Sequence, residues 1–184
     1  MARTPSSMVA LGSAAPDFVL PDVVTGKMVT RADVTGPKGM LAMFICRHCP
    51  FVKHVQEELA SLGRDYAKSG VGIVAISAND ESTHPEDSPA NLAAMSKELG
   101  FSFPYLFDES QDVARAYDAQ CTPDFFLYDA KGALVYRGQL DDSRPGNGMP
   151  VTGQDLRSAL DALVAGRPIS PQQRPSIGCN IKWK

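Results

Sequence analysis

The feature that most constrains the fold is a nearly continuous apolar run followed at once by an amphipathic segment. Residues 39–46 read Gly-Met-Leu-Ala-Met-Phe-Ile-Cys, a pattern typical of a strand buried on both faces. Beyond Pro50, apolar side chains recur every three or four residues and form one helical stripe: Phe51, Val52, Val55, Leu59, Leu62 and Tyr66. A strand buried on both faces needs helices on both sides of its sheet, so this segment predicts an α/β fold.

The rest of the chain continues the alternation of strands and helices. Strands are predicted over 17–20, 28–30, 71–77, 104–107, 124–129 and 133–137. Helices are predicted after the cap-like pair Ser88-Pro89, over 112–117, and after a capping box formed by Thr152 and Asp155. The expected architecture is a central mixed sheet flanked by helices, with an N-terminal β-hairpin extension.

Three segments are expected along the chain. Residues 1–12 are assigned to a flexible N-terminus, residues 13–166 to one domain, and residues 167–184 to a Pro-rich tail. Pro168, Pro171 and Pro175 oppose regular structure in that tail. Because its end carries the single Trp of the chain, Trp183, we expect the tail to pack on the domain.

Composition excludes several classes of function. The chain has 184 residues, and its 18 Lys and Arg against 21 Asp and Glu give a net charge of −3, so binding to nucleic acid is not expected. An apolar run long enough to span a bilayer is missing, as is a signal-peptide core, so we expect a cytoplasmic protein without membrane attachment. Four cysteines are too few for a disulfide scaffold.

The sequence Cys46-Arg47-His48-Cys49-Pro50 lies where the buried strand leads into the helix. Backbone N–H groups and the dipole at a helix N-terminus favour a thiolate. Arg47 and His48 add positive charge, which lowers the pKa of a nearby thiol. Pro50 fits the first helical position best, which makes Cys49 the expected N-cap. The motif therefore predicts a redox dithiol rather than half of a zinc site or two structural cysteines.

A second feature is Cys121-Thr122-Pro123, directly before the predicted strand 124–129. Proline is tolerated at the start of a strand. We expect a cis Thr122–Pro123 bond, which would aim the Thr122 backbone at the two sulfurs and leave its polar groups free for a substrate chain.

These motifs, taken together, resemble the thioredoxin superfamily. The opening Ala15-Pro16-Asp17-Phe18 is similar to the entry of its peroxiredoxin branch. Over residues 13–184 the chain is most similar to bacterial peroxiredoxin-like, thioredoxin-domain proteins. The shared stretches are 46–54, 123–126, 138–142 and the tail segment 178–183. The resemblance implies a thioredoxin-like fold and thiol chemistry at Cys46, Cys49, Thr122 and Pro123.

The chain departs from the peroxiredoxin pattern Pro-x-x-x-Thr-x-x-Cys. Counted back from Cys49, the Thr position holds Cys46 and the Pro position holds Ala42. The arginine that polarises the peroxide in that family falls near Pro123. The pattern therefore favours disulfide exchange over efficient peroxide reduction. In thioredoxins the first cysteine is the exposed nucleophile, so the resemblance favours attack by Cys46 and resolution by Cys49. The reverse assignment stays open.

Other assignments are left open by the sequence. Cys121 and Cys179 are candidates for additional redox roles, against plain packing. Two alternative functions are a thiol peroxidase with Cys49 as the peroxidatic residue, and a zinc or copper site built from Cys46, Cys49, Cys121 and either His48 or Cys179. We expect no cofactor and no resident metal. The expected partners are protein thiols or disulfides, or a reductant of the thioredoxin or glutathione type.

Overall fold

The computed structural model describes residues 3–184. Its strands are β1 (Arg3–Pro5), β2 (Val19–Pro21), β3 (Met28–Thr30), β4 (Gly39–Phe44), β5 (Val71–Ser77), β6 (Tyr105–Phe107), β7 (Cys121–Thr122), β8 (Asp124–Asp129), β9 (Leu134–Gly138) and β10 (Ile177–Asn180). Its α-helices are α1 (Arg31–Val34), α2 (Pro50–Asp65), α3 (Pro89–Leu99), α4 (Asp112–Ala116) and α5 (Gln154–Val164). A single 3-10 turn, Pro85–Asp87, precedes α3.

The central sheet is mixed, as predicted. Strand β4 pairs antiparallel with β8, which pairs antiparallel with β9. On the other side, β5 pairs in parallel with β6. The N–H of Ile45 donates to the carbonyl of Ile76 at 3.0 Å, which joins the end of β4 to β5. Every residue of β4 is buried, in keeping with the continuous apolar run that predicted it.

Two apolar cores lie on opposite faces of β4. One contains Leu41 and Met43 together with α2 and α5, including Leu59 and Leu160. The other contains Met40, Ala42 and Phe44, and it is covered by side chains of β2, α1 and α4. Alternate side chains of β4 therefore pack into the two cores. Because both faces of β4 are covered, the strand and its end at Phe44 lie in the interior of the molecule.

A second, small sheet joins the two ends of the chain. Strand β10 lies between β1 and β7 and runs antiparallel to both. The tail therefore packs on the domain, as expected, and adds a strand to it. Residues 3–5, within the segment assigned to a flexible N-terminus, form β1, and β10 supplies their backbone with a pairing partner. Residues 1 and 2 lie outside the described residues.

The start of α5 also differs from the prediction. Gly153, in a left-handed conformation, is the N-cap, and Thr152 and Asp155 form no capping box. The N–H of Asp155, which a Thr152 cap would bind, donates instead to the carbonyl of Leu140 at 3.1 Å, and the N–H of Leu156 does so at 3.2 Å. Asp141 accepts hydrogen bonds from the N–H groups of Thr152 and Gly153, which directly precede the helix, both at 2.7 Å. Residues 140–141 thus perform the capping role that local sequence assigns to Thr152.

No helix within residues 3–184 combines the length and the apolar character that crossing a bilayer requires.

We expect Leu59→Ala to lower the free energy of unfolding by about 2–5 kcal/mol, because it leaves a cavity beneath α2. Leu59 is fully buried, whereas Glu57 on the same helix is exposed. Glu57→Ala is therefore the matched control, with an expected effect within about 0.5 kcal/mol. Urea denaturation followed by circular dichroism measures both variants. Equal losses in the two would contradict the packing described for α2.

Candidate redox site

The turn between β4 and α2 carries the two cysteines of the motif. Strand β4 ends at Phe44, and α2 begins at Pro50 with Cys49 as its N-cap. The predicted cap is therefore confirmed. The carbonyl of Cys49 accepts the N–H of Lys53 at 3.0 Å. This arrangement places the Cys49 side chain beside the unpaired N–H groups and positive dipole end of a 16-residue helix.

Both sulfurs of the motif are enclosed. The exposed fraction of Cys46 is 0%, and that of Cys49 is also 0%. Cys46 therefore differs in this conformation from the exposed first cysteine of thioredoxins. The tail contributes to the cover of Cys49, because β10 pairs with β7 and brings the Sγ of Cys179 within 2.7 Å of the Cys49 sulfur.

Cys49 is surrounded by groups that bind its thiolate form. Its Sγ lies 2.7 Å from the Sγ of Cys179 and 3.2 Å from the carbonyl oxygen of Thr122. Hydrogen bonds from Cys179 and then from Cys46 lower the pKa of Cys49, and they outweigh the effect of burial. When protonated, Cys49 donates to the Thr122 carbonyl instead.

The neighbouring thiols hold their protons. Burial raises the pKa of Cys46, and the hydrogen bond to Cys49 and the negative charge of Asp87 raise it further. The hydrogen bond to Cys49, followed by burial, raises the pKa of Cys179. Cys46 Sγ lies 3.3 Å from the hydroxyl of Thr122 and 3.7 Å from Nδ1 of His48. The pKa directions therefore favour the thiolate form at Cys49 over the thiolate forms of Cys46 and Cys179.

A buried carboxylate organises the turn. Oδ1 of Asp87 accepts the backbone N–H groups of Arg47 at 2.7 Å and His48 at 3.0 Å. Its Oδ2 lies 2.5 Å from Nδ1 of His48 and accepts Nδ2 of Asn79 at 2.8 Å. The hydrogen bond to Asp87 raises the pKa of His48, and the Cys49 thiolate adds to that effect. Burial acts to raise the pKa of Asp87, but the hydrogen bonds from His48 and Asn79 prevail and lower it.

The two residues between the cysteines have separate surroundings. Nδ1 of His48 lies 3.7 Å from Cys46 Sγ, and the His48 ring packs against His84 at a centroid distance of 4.8 Å and an interplanar angle of 41°. The side chain of Arg47 instead turns to α3, where it bonds the carbonyl of Asn91 at 2.8 Å and the carboxylate of Glu98 at 3.2 Å. The expectation that both residues face the thiolate is therefore corrected for Arg47. The guanidinium of Arg47 forms an ion pair with the carboxylate of Glu98, so its charge is directed to α3 and not to the thiols.

Thr122–Pro123 is a cis peptide bond, as predicted. Thr122 is buried, and its hydroxyl and carbonyl oxygens each face one sulfur of the motif. The expectation that its backbone is free for a substrate chain is wrong, because β10 pairs with β7 and sets Cys179 opposite Thr122. The edge of β7 that the sequence assigns to a substrate is held by the protein's own tail.

Cys121 lies on the same short strand but in another environment. Its thiol donates to the carbonyl of Pro123 at 3.6 Å, and burial followed by the charge of Asp124 raises its pKa. Asp124 is itself fully buried. Its Oδ2 accepts the N–H of Gln120 at 3.2 Å, while its Oδ1 meets no hydrogen-bond partner within residues 3–184. Burial raises the pKa of Asp124 to about 8.

One group of side chains in the described chain has the composition of a metal site. Ligand atoms of Cys46, His48 and Asp87 all lie within 4.8 Å of one another. However, the 2.5 Å separation of His48 Nδ1 and Asp87 Oδ2 is that of a hydrogen bond. Two ligand atoms each about 2.0–2.2 Å from one zinc ion stand farther apart than that. This group differs from the ligand set proposed from the sequence, with which it shares only Cys46 and His48, and its geometry fits a hydrogen-bonded His–Asp pair.

Comparison with known proteins assigns the family. The model of the AhpC/TSA family matches residues 11–137, and the chain belongs to that family. It is 30% identical over 131 residues to the thiol-disulfide oxidoreductase ResA of Geobacillus thermodenitrificans, covering 71% of this chain and 70% of ResA. The family and this relative make the chain a thiol-dependent oxidoreductase, which confirms the expected enzyme class.

Two solved structures match almost the whole chain. An uncharacterized conserved protein from Geobacillus kaustophilus is 56% identical with a TM-score of 0.98, and the match covers 100% of this chain and 97% of that one. A hypothetical protein from Sinorhizobium meliloti 1021 is 50% identical with a TM-score of 0.96, covering 98% of both chains. Peroxidoxin BcpB of Mycobacterium tuberculosis, at 18% identity and a TM-score of 0.63 over 85% of this chain and 97% of its own, shares the fold. The expected thioredoxin-like fold is confirmed.

Sequence reasoning missed Asp87 and Asn79. Both lie in the polar segment that follows β5, where nothing in the spacing marks them as different from solvated loop residues. The one signal that could have pointed to Asp87 is weak: this acidic residue ends a 3-10 turn close to the predicted N-terminus of α3. Only the packing of that segment against the Cys46–Cys49 turn shows its role.

We expect Asp87→Asn to lower the free energy of unfolding by about 1–3 kcal/mol, because it removes a buried charged acceptor. The pKa of His48 is raised in the folded protein, so the stability from this pair is complete below the unfolded value of about 6.5. It is lost as pH rises through the folded pKa, and lost again as pH falls through the lowered pKa of Asp87. Urea denaturation from pH 4 to 9 should show the largest difference from wild type between those limits.

Glu98→Gln is the control for this experiment. Glu98 is the exposed partner of Arg47, so its replacement should cost no more than about 1 kcal/mol. A pH-independent difference for Asp87→Asn, or an equal loss in both variants, would contradict the assigned His48–Asp87 pair.

Proposed function

We propose that the chain catalyses thiol–disulfide exchange through the Cys46–Cys49 pair. The observation that carries the proposal is the position of Cys49 at the N-cap of α2, in the same turn as the second thiol of the motif. The pKa of Cys49 is lowered there, whereas that of Cys46 is raised. A low-pKa thiolate attacks a disulfide readily and also leaves readily, and a neighbouring thiol can then close an intramolecular disulfide. The similarity to ResA, a named thiol-disulfide oxidoreductase, supports this reaction class.

The reaction begins when the Cys49 thiolate attacks one sulfur of a substrate disulfide. The other substrate sulfur leaves as a thiolate, and a mixed disulfide forms on Cys49. Cys46 then loses its proton and attacks the Sγ of Cys49, which releases the second substrate thiol and closes the Cys46–Cys49 disulfide. Two electrons pass from the enzyme pair to the substrate. These pKa directions favour attack by Cys49, the reverse of the order that the sequence resemblance favours.

His48 supplies the nearby positive charge. Its Nδ1 faces Cys46 at 3.7 Å, and its raised pKa keeps the ring protonated over a wider pH range. An imidazolium at that position stabilises the thiolate forms of the pair. Asp87 fixes the orientation of the ring and is a positioning residue.

The proposed substrates are protein or small-molecule disulfides, with a thioredoxin- or glutathione-type reductant restoring the dithiol. We place this cycle in the cytoplasm, where thiols are kept reduced. Cell fractionation followed by immunoblotting tests the location, and recovery of the protein outside the cytoplasmic fraction would contradict it.

Peroxide reduction is the second candidate, and the same thiolate supports it. Cys49 followed by Pro50 at the first helical position could attack a peroxide oxygen to give a sulfenic acid and hydroxide or alcohol. Cys46 would then condense with it and release water. The sequence opposes efficient catalysis, because Cys46 occupies the position of the assisting threonine in the peroxiredoxin pattern.

We expect insulin disulfide reduction to be faster than hydrogen peroxide consumption when both are measured with the same reductant. Cys49→Ser should abolish both activities, since it removes the attacking thiolate. Peroxide rate constants near 10⁷ M⁻¹s⁻¹, roughly the range of the most efficient enzymes, would overturn the preference for disulfide exchange. Activity in neither assay would overturn the proposal itself.

We expect His48→Ala to lower the reduction potential of the pair, because it removes a charge that stabilises the reduced thiolate form. A shift on the order of 30 mV corresponds to about 1.4 kcal/mol for a two-electron couple. Arg47→Ala is the matched control and should shift the potential less, since its guanidinium bonds Glu98. Titration with glutathione redox buffers measures both, and a larger shift in Arg47→Ala would contradict the assigned geometry.

A further inference from the structure

The tail brings a third thiol to the redox pair. Strand β10 runs antiparallel to β7 and sets Cys179 opposite Thr122. The Sγ of Cys179 lies 2.7 Å from the Sγ of Cys49. A disulfide bond is about 2.05 Å long, so a small side-chain movement separates this contact from a covalent bond. Both sulfurs are buried.

The close approach of β10 to β7 requires a glycine in β10. A Cβ on Gly178 would lie 2.0 Å from the carbonyl oxygen of Thr122, so only glycine lets the two backbones meet here. Ser176 anchors one end, donating its hydroxyl to the carbonyl of Pro123 at 2.6 Å. The N–H of Lys182 anchors the other, donating to Asn79 at 2.9 Å. The tail is thereby fixed on both sides of Cys179.

Asn79 links the tail to the site chemistry. Its Oδ1 accepts from Lys182, and its Nδ2 donates to the same Asp87 carboxylate that bonds His48. Asn79 and Asp87 are therefore hydrogen-bonded to each other, and together they hold both the end of the tail and the Cys46–Cys49 turn.

We propose that Cys179 is a third redox residue, which exchanges with the Cys46–Cys49 disulfide to form a Cys49–Cys179 disulfide. This inference rests on the proposed disulfide exchange and deepens it. Cys179 reaches Cys49 on an extended strand paired with Thr122, the arrangement expected for a cysteine of a bound substrate chain. The tail is thus a tethered substrate for the pair.

The exchange step conserves atoms and electrons. Cys179 loses its proton, and its thiolate attacks the Sγ of Cys49 in the Cys46–Cys49 disulfide. That bond breaks, Cys46 leaves as a thiolate and takes up a proton, and the new Cys49–Cys179 bond forms. No external oxidant is consumed, because one disulfide is replaced by another. A reductant that reaches either disulfide returns the enzyme to the trithiol form.

Cys49 is the common neighbour of the other two thiols. Its Sγ lies 2.7 Å from that of Cys179. Burial and the interaction with Cys49 raise the pKa of Cys46, and the interaction with Cys49 and burial raise that of Cys179. Either can therefore serve as the resolving thiol once Cys49 is oxidised.

Removing Cys46 tests the proposal without changing the tail. The full chain has four cysteines, so Cys46→Ser keeps three thiols and all of the contacts around Cys179. After treatment with diamide, a two-electron thiol oxidant, and unfolding in denaturant, we expect Ellman's reagent to detect one remaining thiol, that of Cys121. Peptide mass spectrometry should then identify a Cys49–Cys179 cross-link.

Two variants complete the design. Cys46→Ser combined with Cys179→Ser should retain both of its thiols after the same treatment, because its Cys49 has no resolving partner. Cys121→Ser is the matched control on strand β7 and should form the same cross-links as wild type, since its thiol bonds a carbonyl instead of a sulfur. Circular dichroism and thermal melts establish that each variant is folded, and the Cys46→Ser result does not depend on altering β10.

The outcomes separate the two proposals. If Cys46→Ser retains three thiols while wild type falls from four to two through a Cys46–Cys49 bond, the role of Cys179 is overturned and the proposed function stands. If wild type forms the Cys49–Cys179 bond, alone or together with the Cys46–Cys49 bond, the role of Cys179 is confirmed. Unchanged thiol counts in wild type overturn both.

Discussion

The site depends on the hydrogen bonds made to one buried carboxylate. Asp87 binds the backbone of the Cys46–Cys49 turn with one oxygen, and His48 and Asn79 with the other. Cys49, although it is the N-cap of α2, makes no capping hydrogen bond with its side chain. A carboxylate from another loop therefore orders the turn, so the Cys49 side chain does not have to. An ordinary Ser or Asp cap would have occupied that position with a group unable to exchange disulfides.

A second dependence runs through the tail. Because β10 completes a sheet with β1 and β7, the two ends of the described chain meet over the thiols. Burial of a thiol raises its pKa unless hydrogen bonds compensate. For Cys49 the hydrogen bonds do compensate for burial, and the largest contribution comes from Cys179, which lies on the tail. The segment that excludes water from the site thus also supplies part of its reactivity.

Most of the fold could be predicted from periodicity, because β4, β5 and α2 bury apolar side chains in regular patterns. Short-range rules also placed Cys49 as the N-cap and Pro123 in a cis bond. What failed were contacts between residues far apart in the chain: the pairing of Arg3–Pro5 with β10, the capping of α5 by Leu140 and Asp141, and the turn of Arg47 toward Glu98. Local sequence carries no record of such partners, which are selected by tertiary packing.

Asp124 has a consequence for the energetics of folding. Its carboxyl is fully buried with a pKa of about 8, whereas in an unfolded chain an aspartate has a pKa of about 3.9. At neutral pH the unfolded group is ionised and the folded group is protonated, so folding takes up a proton here. This contribution to stability falls as pH rises from about 4 to 8. The heat of unfolding measured by calorimetry therefore includes the ionisation enthalpy of the buffer that accepts this proton.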